Sequence, residues 1–288
     1  MIYSYFTDIF EYEKFPVEYE CFKQLKDDTD LNYVAIPWTQ ILNSHWLRYP
    51  NWHPAEYYFR ILSKEKITQQ NNFTVCQHDS YMSLKLYFKH LNITKVFSPL
   101  HDRANIIDGV EIIPISFTSS FNFEPVKKDI HVSFVGTYTS HPIRERMKTR
   151  IYGDGIIYRD SYHIDTNMFD VKNKKEKEET EYKDILQRSR FSLCPRGSSP
   201  SSVRFWESLH AGAIPVLISD NWCLPDWNWK DTIVKISEKD FELIDYNSII
   251  NLLNDITPDR ESIMRENCIN AYNLFKKEKY KQYILNKL

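Results

Sequence analysis

Short apolar runs alternate with stretches of helical period along most of this chain, and that alternation admits few architectures. FTVCQ, KVFSPL and VEIIPIS are short and rich in β-branched and aromatic residues, so they read as buried strands. Between and before them, AEYYFRILSKE (55–65) and SYMSLKLYFKHL (80–91) set apolar residues at helical spacing. Strands alternating with helices suggest parallel pairing, with the helices covering the sheet. MIYSYF and NYVAIPW belong to the same series, which fills the first 117 residues. The polar stretch TSSFNFEPVKKD (118–129) interrupts the pattern as a linker. HVSFVGTY then opens a second α/β series: RERMKTRI as helix, GIIYRD as strand, FSLCP (191–195) as strand, a helix from about 203 to 212, and the strand AIPVLIS. The charge-dense VKNKKEKEETEYKD is expected as a solvated loop that enters a helix ending near Arg190, with Tyr182, Ile185 and Leu186 as its apolar stripe. From about residue 247 the tail is helical in pattern, with Pro258 as the start of the last helix.

A chain of 288 residues that is 42% hydrophobic can fill two cores of moderate size. The expected division is 1–122 and 123–288, with the last helix crossing back to the first domain. A net charge of -2 argues against a general nucleic-acid binder, which needs a surplus of Lys and Arg over the phosphates. Any anion must therefore be met by a local cluster. The five cysteines (21, 76, 194, 223, 268) are widely spaced and form no CxxC, so neither a disulfide framework nor a zinc site is signalled. The start, MIYSYFTDIFEYEKF, lacks the basic and apolar blocks of a signal peptide, and no window approaches the ~20 apolar residues of a membrane span. A soluble, cytoplasmic protein is expected, in which the sequons at Asn72 and Asn92 go unused.

CPRGSSPSSVRFWE (194–207) lies where a strand gives way to a helix. Backbone N–H groups at a helix start, together with the helix dipole, attract anions. Ser201 or Ser202 is expected to cap this helix and Gly197 to let the loop turn tightly. Arg204, Glu207, Ser208 and Ala211 share one helix face, while Val203, Trp206, Leu209 and His210 turn elsewhere to pack against a sheet. Known phosphate loops do not fit: the chain holds neither GxxxxGK[ST] nor GxGxxG, and six positions after Cys194 stands Pro200 instead of a phosphatase arginine. Cys194 therefore reads as a packed strand end. What remains is a nucleotide-sugar site, in which Arg204 meets a diphosphate and Glu207 accepts from ribose hydroxyls. The competing reading pairs Arg204 with Glu207 at i, i+3 on the helix surface.

The line FSLCPRGSSPSSVRFWESLHAGAIPVLISDNWCLPDWNWKD resembles the signature of the exostosin family of glycosyltransferases: a CPRG loop, an S-x-R-x-W-E helix start, an A-G-x-I-P-V strand and a serine-aspartate pair, in order. SFVGTYTSHPIRERM is similar to the family's F-x-G strand followed by an arginine, and FTVCQHDSY to the histidine-aspartate step of plant members. The resemblance implies a GT-B enzyme, α/β throughout, with two Rossmann-like domains whose parallel sheets face a cleft and a UDP-sugar held by the carboxy-terminal one. It implies inverting transfer to a glycan acceptor from donors such as UDP-xylose, UDP-glucuronate or UDP-galactose, with no further cofactor. Carried over, Arg204, Ser201 and Ser202 meet the diphosphate, Glu207 the ribose, and Arg144 with Gly136 the phosphate side. Arg196, beside Gly197, either faces the phosphates or braces the loop.

Inverting transfer needs charge stabilisation at the leaving diphosphate and a base at the acceptor. Arg204, Arg144 and the helix start supply the first, so no metal is expected. For the base, Asp79 at the end of the FTVCQH strand is the candidate, with His78 as its neighbour; a helix-capping role for Asp79 or Ser80 is the alternative. The aromatic residues of PWTQILNSHWLRYPNWHPAEYY, with Trp38, Trp52 and Tyr57 foremost, form a candidate acceptor surface, since aromatic faces stack on sugar rings. Trp222, Trp227 and Trp229 are expected to pack beneath the donor motif. A glycan-binding relative without transfer activity is the alternative to an enzyme.

Overall fold

The computed structural model describes residues 3–4, 16–46, 60, 63–64, 67–102, 106–119, 121–150, 154–159, 171–243 and 246–288. The chain forms two compact units: Met1–Thr118 with Trp222–Pro225 and Phe275–Leu288, and Ser119–Asn221 with Asp226–Leu274.

In the first unit β1 (Tyr3–Ser4) pairs in parallel with β2 (Val34–Ala35), and a single bridge from Tyr33 to Phe73 leads to the main sheet. That sheet holds β3 (Asn72–Val75), β4 (Ile93–Ser98), β5 (Ile106–Ile107) and β6 (Val110–Pro114) in the order β3-β4-β6-β5. β3, β4 and β6 are parallel, whereas β5 and β6 form a hairpin. Asp108 and Gly109 at its tip have φ of 50° and 83°, the left-handed pair that a tight two-residue hairpin requires. The end of the chain completes this unit. The hydroxyl of Tyr280 donates to the Ser116 carbonyl and that of Tyr283 to the Pro114 carbonyl, both at 2.8 Å. Tyr280 and Ile284 are buried with Val17, Cys21, Leu25 and Phe73.

The second unit carries β7 (Ile130–Val135), β8 (Ile156–Arg159), β9 (Ser189–Pro195), β10 (Ile214–Ile218) and β11 (Val234–Ile236), all parallel, in the order β11-β10-β9-β7-β8. Counted within the unit this is the doubly wound order 2-1-3-4-5, whose switch point lies between the first and third strands, β7 and β9. Ligands of such sheets bind beyond the carboxyl ends of those strands. CPRG follows β9 at that place.

Two expectations change. VKNKKEKEETEYKD is not a loop: a helix runs unbroken over Val171–Arg188. Its Lys, Glu and Gln are good helix formers, and the alternating charges sit at supportive i, i+4 spacing, so solvation and helix are compatible. The helix that starts at Pro258 ends at Phe275 and is followed by a further short helix, Tyr280–Leu285. Among the described residues no helix is long and apolar enough to cross a membrane.

Candidate functional site

β7 delivers Val135 and then Gly136 to the switch point; β9 delivers Pro195, the loop 196–202 and the helix Val203–Ala211. That helix stops at Gly212, whose φ of 62° lets its N–H close the last turn. At the other end Ser202 has the extended backbone of a cap, φ -146° and ψ 129°, yet its side chain makes no capping bond. The expected serine cap is absent, and Ser201 Oγ lies 3.3 Å from Ser199 Oγ. The helix start thus keeps its donors for something other than a side chain.

Arg204 leaves the first turn of this helix toward β7. Its Nη2 donates to the Val135 carbonyl, and its guanidinium lies 4.3 Å above the Phe134 ring. Nε and Nη1 are buried with no hydrogen-bond partner among the described residues. Buried donors without partners are costly, which makes these two candidate contacts for an anion. Gly136 makes the approach possible, since a Cβ there would lie 2.1 Å from Arg204 Nη2.

Arg144 comes from the helix Pro142–Arg150. Nε donates to the Arg196 carbonyl at 2.8 Å, Nη1 to Thr137 at 3.1 Å and Nη2 to Pro195 at 3.3 Å. It braces the loop, with one donor of each nitrogen directed at a carbonyl. Burial first and the charge of Arg204 second push its pKa down to about 10. Gly197 leaves room for this brace, because a Cβ there would sit 3.0 Å from Arg144 Nη2. Arg196 contributes its N–H to the Ile218 carbonyl at 2.9 Å and lays its side chain 3.6 Å from Glu238. Ser219 Oγ donates to the Pro200 carbonyl at 2.8 Å. Four residues outside the loop's apex therefore fix its course.

Glu207 is buried one turn beyond Arg204 and accepts the Tyr182 hydroxyl on Oε2. Burial raises its pKa, and the Tyr182 bond and the Arg204 charge oppose that rise. The i, i+3 pairing of Arg204 with Glu207 is overturned, since each has a different partner. Tyr182 was read only as part of an apolar stripe; its hydroxyl gave no signal of its own in the sequence. The ring of Phe121 stands 5.4 Å from it. The division of the helix into a polar face and a packing face also needs correction. Ser208 bonds Ser192 Oγ at 2.8 Å and lies 3.7 Å from Cys194, so the polar face itself meets the sheet. Phe205 and Trp206 pack against Trp229 at 5.4 and 6.2 Å on another side. Cys194 is fully buried and its thiol pKa is raised by burial, which suits packing and not nucleophilic attack.

In the first unit Asp79 lies four residues beyond the end of β3, with its side chain 50% exposed. Its Oδ1 is 3.2 Å from both His78 Nδ1 and Ser80 Oγ, and the Ser80 N–H meets His78 Nδ1 at 3.0 Å. Ser80 occupies the cap of the turn Tyr81–Leu84 without a side-chain capping bond, so the capping alternative is not realised. Burial lowers the His78 pKa, and Asp79 opposes this. A second His-Asp step, His101–Asp102, follows the neighbouring parallel strand β4. The doubled LHD and QHD pattern was visible in the sequence and was missed.

Trp38 is not part of an acceptor surface. It is fully buried, donates from Nε1 to Thr74 Oγ1 at 2.8 Å and meets Phe88 edge-on at 5.4 Å. Trp52 and Tyr57 lie outside the described residues. Trp222 is buried and belongs to the first unit. An Asp-x-Asp triplet, Asp28-Thr29-Asp30, follows the helix Pro16–Leu25, and Asp28 pairs with Lys281 Nζ at 2.7 Å. Among the described residues no three His, Cys, Asp or Glu side chains gather as metal ligands.

A doubly wound sheet with a braced loop at its switch point, and an arginine there with two unpartnered donors, defines an α/β protein with a candidate anion site. The family model "Exostosin GT47 domain" matches residues 52–252, and the chain belongs to that family. It is 37% identical over 100 residues to "Exostosin-1 homolog" of Caenorhabditis elegans, a stretch covering 33% of this chain and 24% of that protein. It is 31% identical over 150 residues to "Probable glucuronoxylan glucuronosyltransferase IRX7" of Arabidopsis thaliana, covering 49% of this chain and 32% of that one. The matches thus span a third or less of these relatives. Among solved structures, "Crystal Structure of TarM" aligns with 81% of this chain and 57% of its own at 13% identity and TM-score 0.40. The doubly wound assignment rests on the sheet order itself.

Proposed function

We propose that the protein is an inverting, metal-independent glycosyltransferase that moves a sugar from a UDP-sugar to a hydroxyl of a glycan. One observation carries the reading: Arg204 holds two buried donors without partners, beside an uncapped helix start at the switch point of a parallel sheet. A diphosphate supplies the missing negative charge and bidentate geometry. Glu207, raised by burial and held by Tyr182, accepts from the ribose hydroxyls. In the transfer, the acceptor oxygen attacks the anomeric carbon as its bond to the diphosphate breaks. Arg204 and the helix start stabilise the charge that develops on the leaving group, the role that fixed dipoles perform best in a dry site. Arg144 keeps the loop in place for that task. Asp79, with His78 beside it, takes the acceptor proton. The names of relatives favour pentose and uronic acid donors, among them "Probable beta-1,4-xylosyltransferase IRX10L", 37% identical over 98 residues.

The test is turnover of UDP-xylose, UDP-glucuronate and UDP-galactose, with and without EDTA, in the presence of xylan and glucuronoxylan oligosaccharides. Transfer from at least one donor, unchanged by EDTA and with inverted product, is expected. Transfer that EDTA abolishes contradicts metal independence, and no turnover or binding of any UDP-sugar contradicts the reading as a whole.

A further inference from the structure

Among the described residues of the first unit Glu18 is the most completely enclosed carboxylate, 1% exposed, and the transfer reaction as described makes no use of it. Its Oε1 accepts the Thr39 hydroxyl at 2.7 Å, the Gln77 N–H at 2.8 Å and the Thr39 N–H at 3.2 Å; Oε2 lies 3.3 Å from the same Thr39 N–H. Gln77 answers in kind, its Oε1 accepting the Val17 N–H at 2.9 Å. The first turn of the helix Pro16–Leu25 and the segment leaving β3 therefore exchange bonds in both directions. The start of the helix Trp38–Trp46 is joined to them through Thr39. Val17 and Thr39 sit in first turns, where N–H groups lack partners within their own helix.

We propose that Glu18 is the positioning residue of the His78–Asp79 step, fixing where the chain turns after β3 by holding the N–H of the residue just before it. The inference rests on reading Asp79, with His78, as the group that activates the acceptor. Glu18 does not touch substrate; it acts through Gln77. A buried carboxylate is a demanding way to join three segments, since it carries the cost of a buried charge. What the carboxylate adds is a charge that changes with pH. Burial pushes its pKa up to about 7, against the opposing bonds from Thr39 and Gln77. The titratable groups that feel its charge are Cys21 on its own helix, Tyr33 before β2 and Cys76 after β3. Burial keeps the Cys21 and Cys76 thiols and the Tyr33 phenol neutral, so they do not change charge in this range. Ionised, Glu18 holds the Gln77 N–H through a charge-assisted bond; protonated, it holds it more weakly.

The experiment compares the wild type with Glu18→Gln, Thr39→Val and Asp79→Asn, using transfer from the UDP-sugar that the donor panel selects, amide hydrogen exchange, and UDP titration as a control on the second unit. Glu18→Gln is expected to lower kcat about 3- to 10-fold at pH 8 and to remove an inflection near pH 7 from the kcat profile. Exchange at Gln77 to Ser80 should rise about tenfold while β4 and β6 amides and UDP affinity stay unchanged. Thr39→Val removes one bond to the charged form, so the inflection should move to higher pH; this variant decides if Glu18→Gln does not fold. A folded Glu18→Gln enzyme with the wild-type profile and wild-type exchange at Gln77 overturns the inference. Asp79→Asn separates the two readings. If it leaves transfer intact, the base assignment fails and exchange alone judges the tie. If it abolishes transfer while Glu18→Gln matches the wild type, Glu18 fails and the base assignment stands.

Discussion

The carboxyl ends of the two parallel sheets are built on opposite principles. Beyond β7 and β9 the chain is held from outside: Arg144 reaches three carbonyls, Ser219 a fourth, and Arg204 keeps two buried donors without partners among the described residues. Beyond β3 the chain is held from within, by a buried carboxylate, and the residues left over are a half-exposed Asp79 and its histidine. In the proposed transfer the first end grips an anion and the second takes a proton. Arg204 is tied through Nη2 to the Val135 carbonyl, and its other two nitrogens remain without partners among the described residues.

Removing the grip is the largest perturbation. Arg204→Ala should cost about 10²- to 10³-fold in kcat/KM, the range for losing one donor to a developing oxyanion, with little change in melting temperature. Kinetics and thermal unfolding on the same sample would show it; an equal fall in both would make Arg204 structural. Gly136→Ala comes next. A Cβ 2.1 Å from Arg204 Nη2 must displace the guanidinium, so UDP affinity should fall about tenfold in a protein that still folds. Calorimetric titration with UDP reads this directly. Arg144→Lys tests the brace: one ammonium cannot reproduce three directed bonds to carbonyls, so donor KM should rise several-fold and the melting temperature fall by a few degrees, as expected for about 1 kcal/mol in a chain of this size. A phosphate contact at Arg144 would instead be largely rescued by lysine.

The inner end titrates in the opposite sense to an ordinary salt-bridged carboxylate. The folded pKa of Glu18, about 7, lies above its ordinary 4.5, so between these values the folded state binds more protons than the unfolded. Stability should therefore fall as pH rises through that window, by at most about 3 kcal/mol. Glu18→Gln, which cannot ionise, should lose most of this slope; denaturant unfolding at pH 5, 6, 7 and 8 is the measurement, and parallel slopes would contradict it. The smallest effect belongs to Cys194→Ala. With the thiol buried and packed against Ser208, transfer should remain within about twofold.

Much of the second unit was legible because its signals are local. FSLCP, the CPRG loop, the helix start and AIPVLIS carry period, turn chemistry and family signature in one continuous stretch. The direction of Arg144 was not legible, since its partners are backbone carbonyls that any sequence would offer. Tyr182 was hidden for a related reason: a residue that fills an apolar stripe can still turn its hydroxyl to a buried carboxylate 25 positions away. Trp38 shows the converse error. A segment rich in polar residues suggested an exposed aromatic, but one threonine hydroxyl satisfies the indole N–H and lets the ring enter the core. Glu18 was passed over because a charged residue in the first turn of a helix usually faces water; only the fold brings Gln77 and Thr39 around it.

The central claim, that the anion site lies beyond β7 and β9 and not in the first unit, is tested most directly by titrating UDP into isotopically labelled protein and following backbone amides by NMR. The account predicts saturable shifts at Gly136, Gly197 and Ser202 to Phe205, with Gln77 to Ser80 unmoved, and their loss in Arg204→Ala. Shifts confined to Gln77 to Ser80, or a wild-type response in Arg204→Ala, would contradict it.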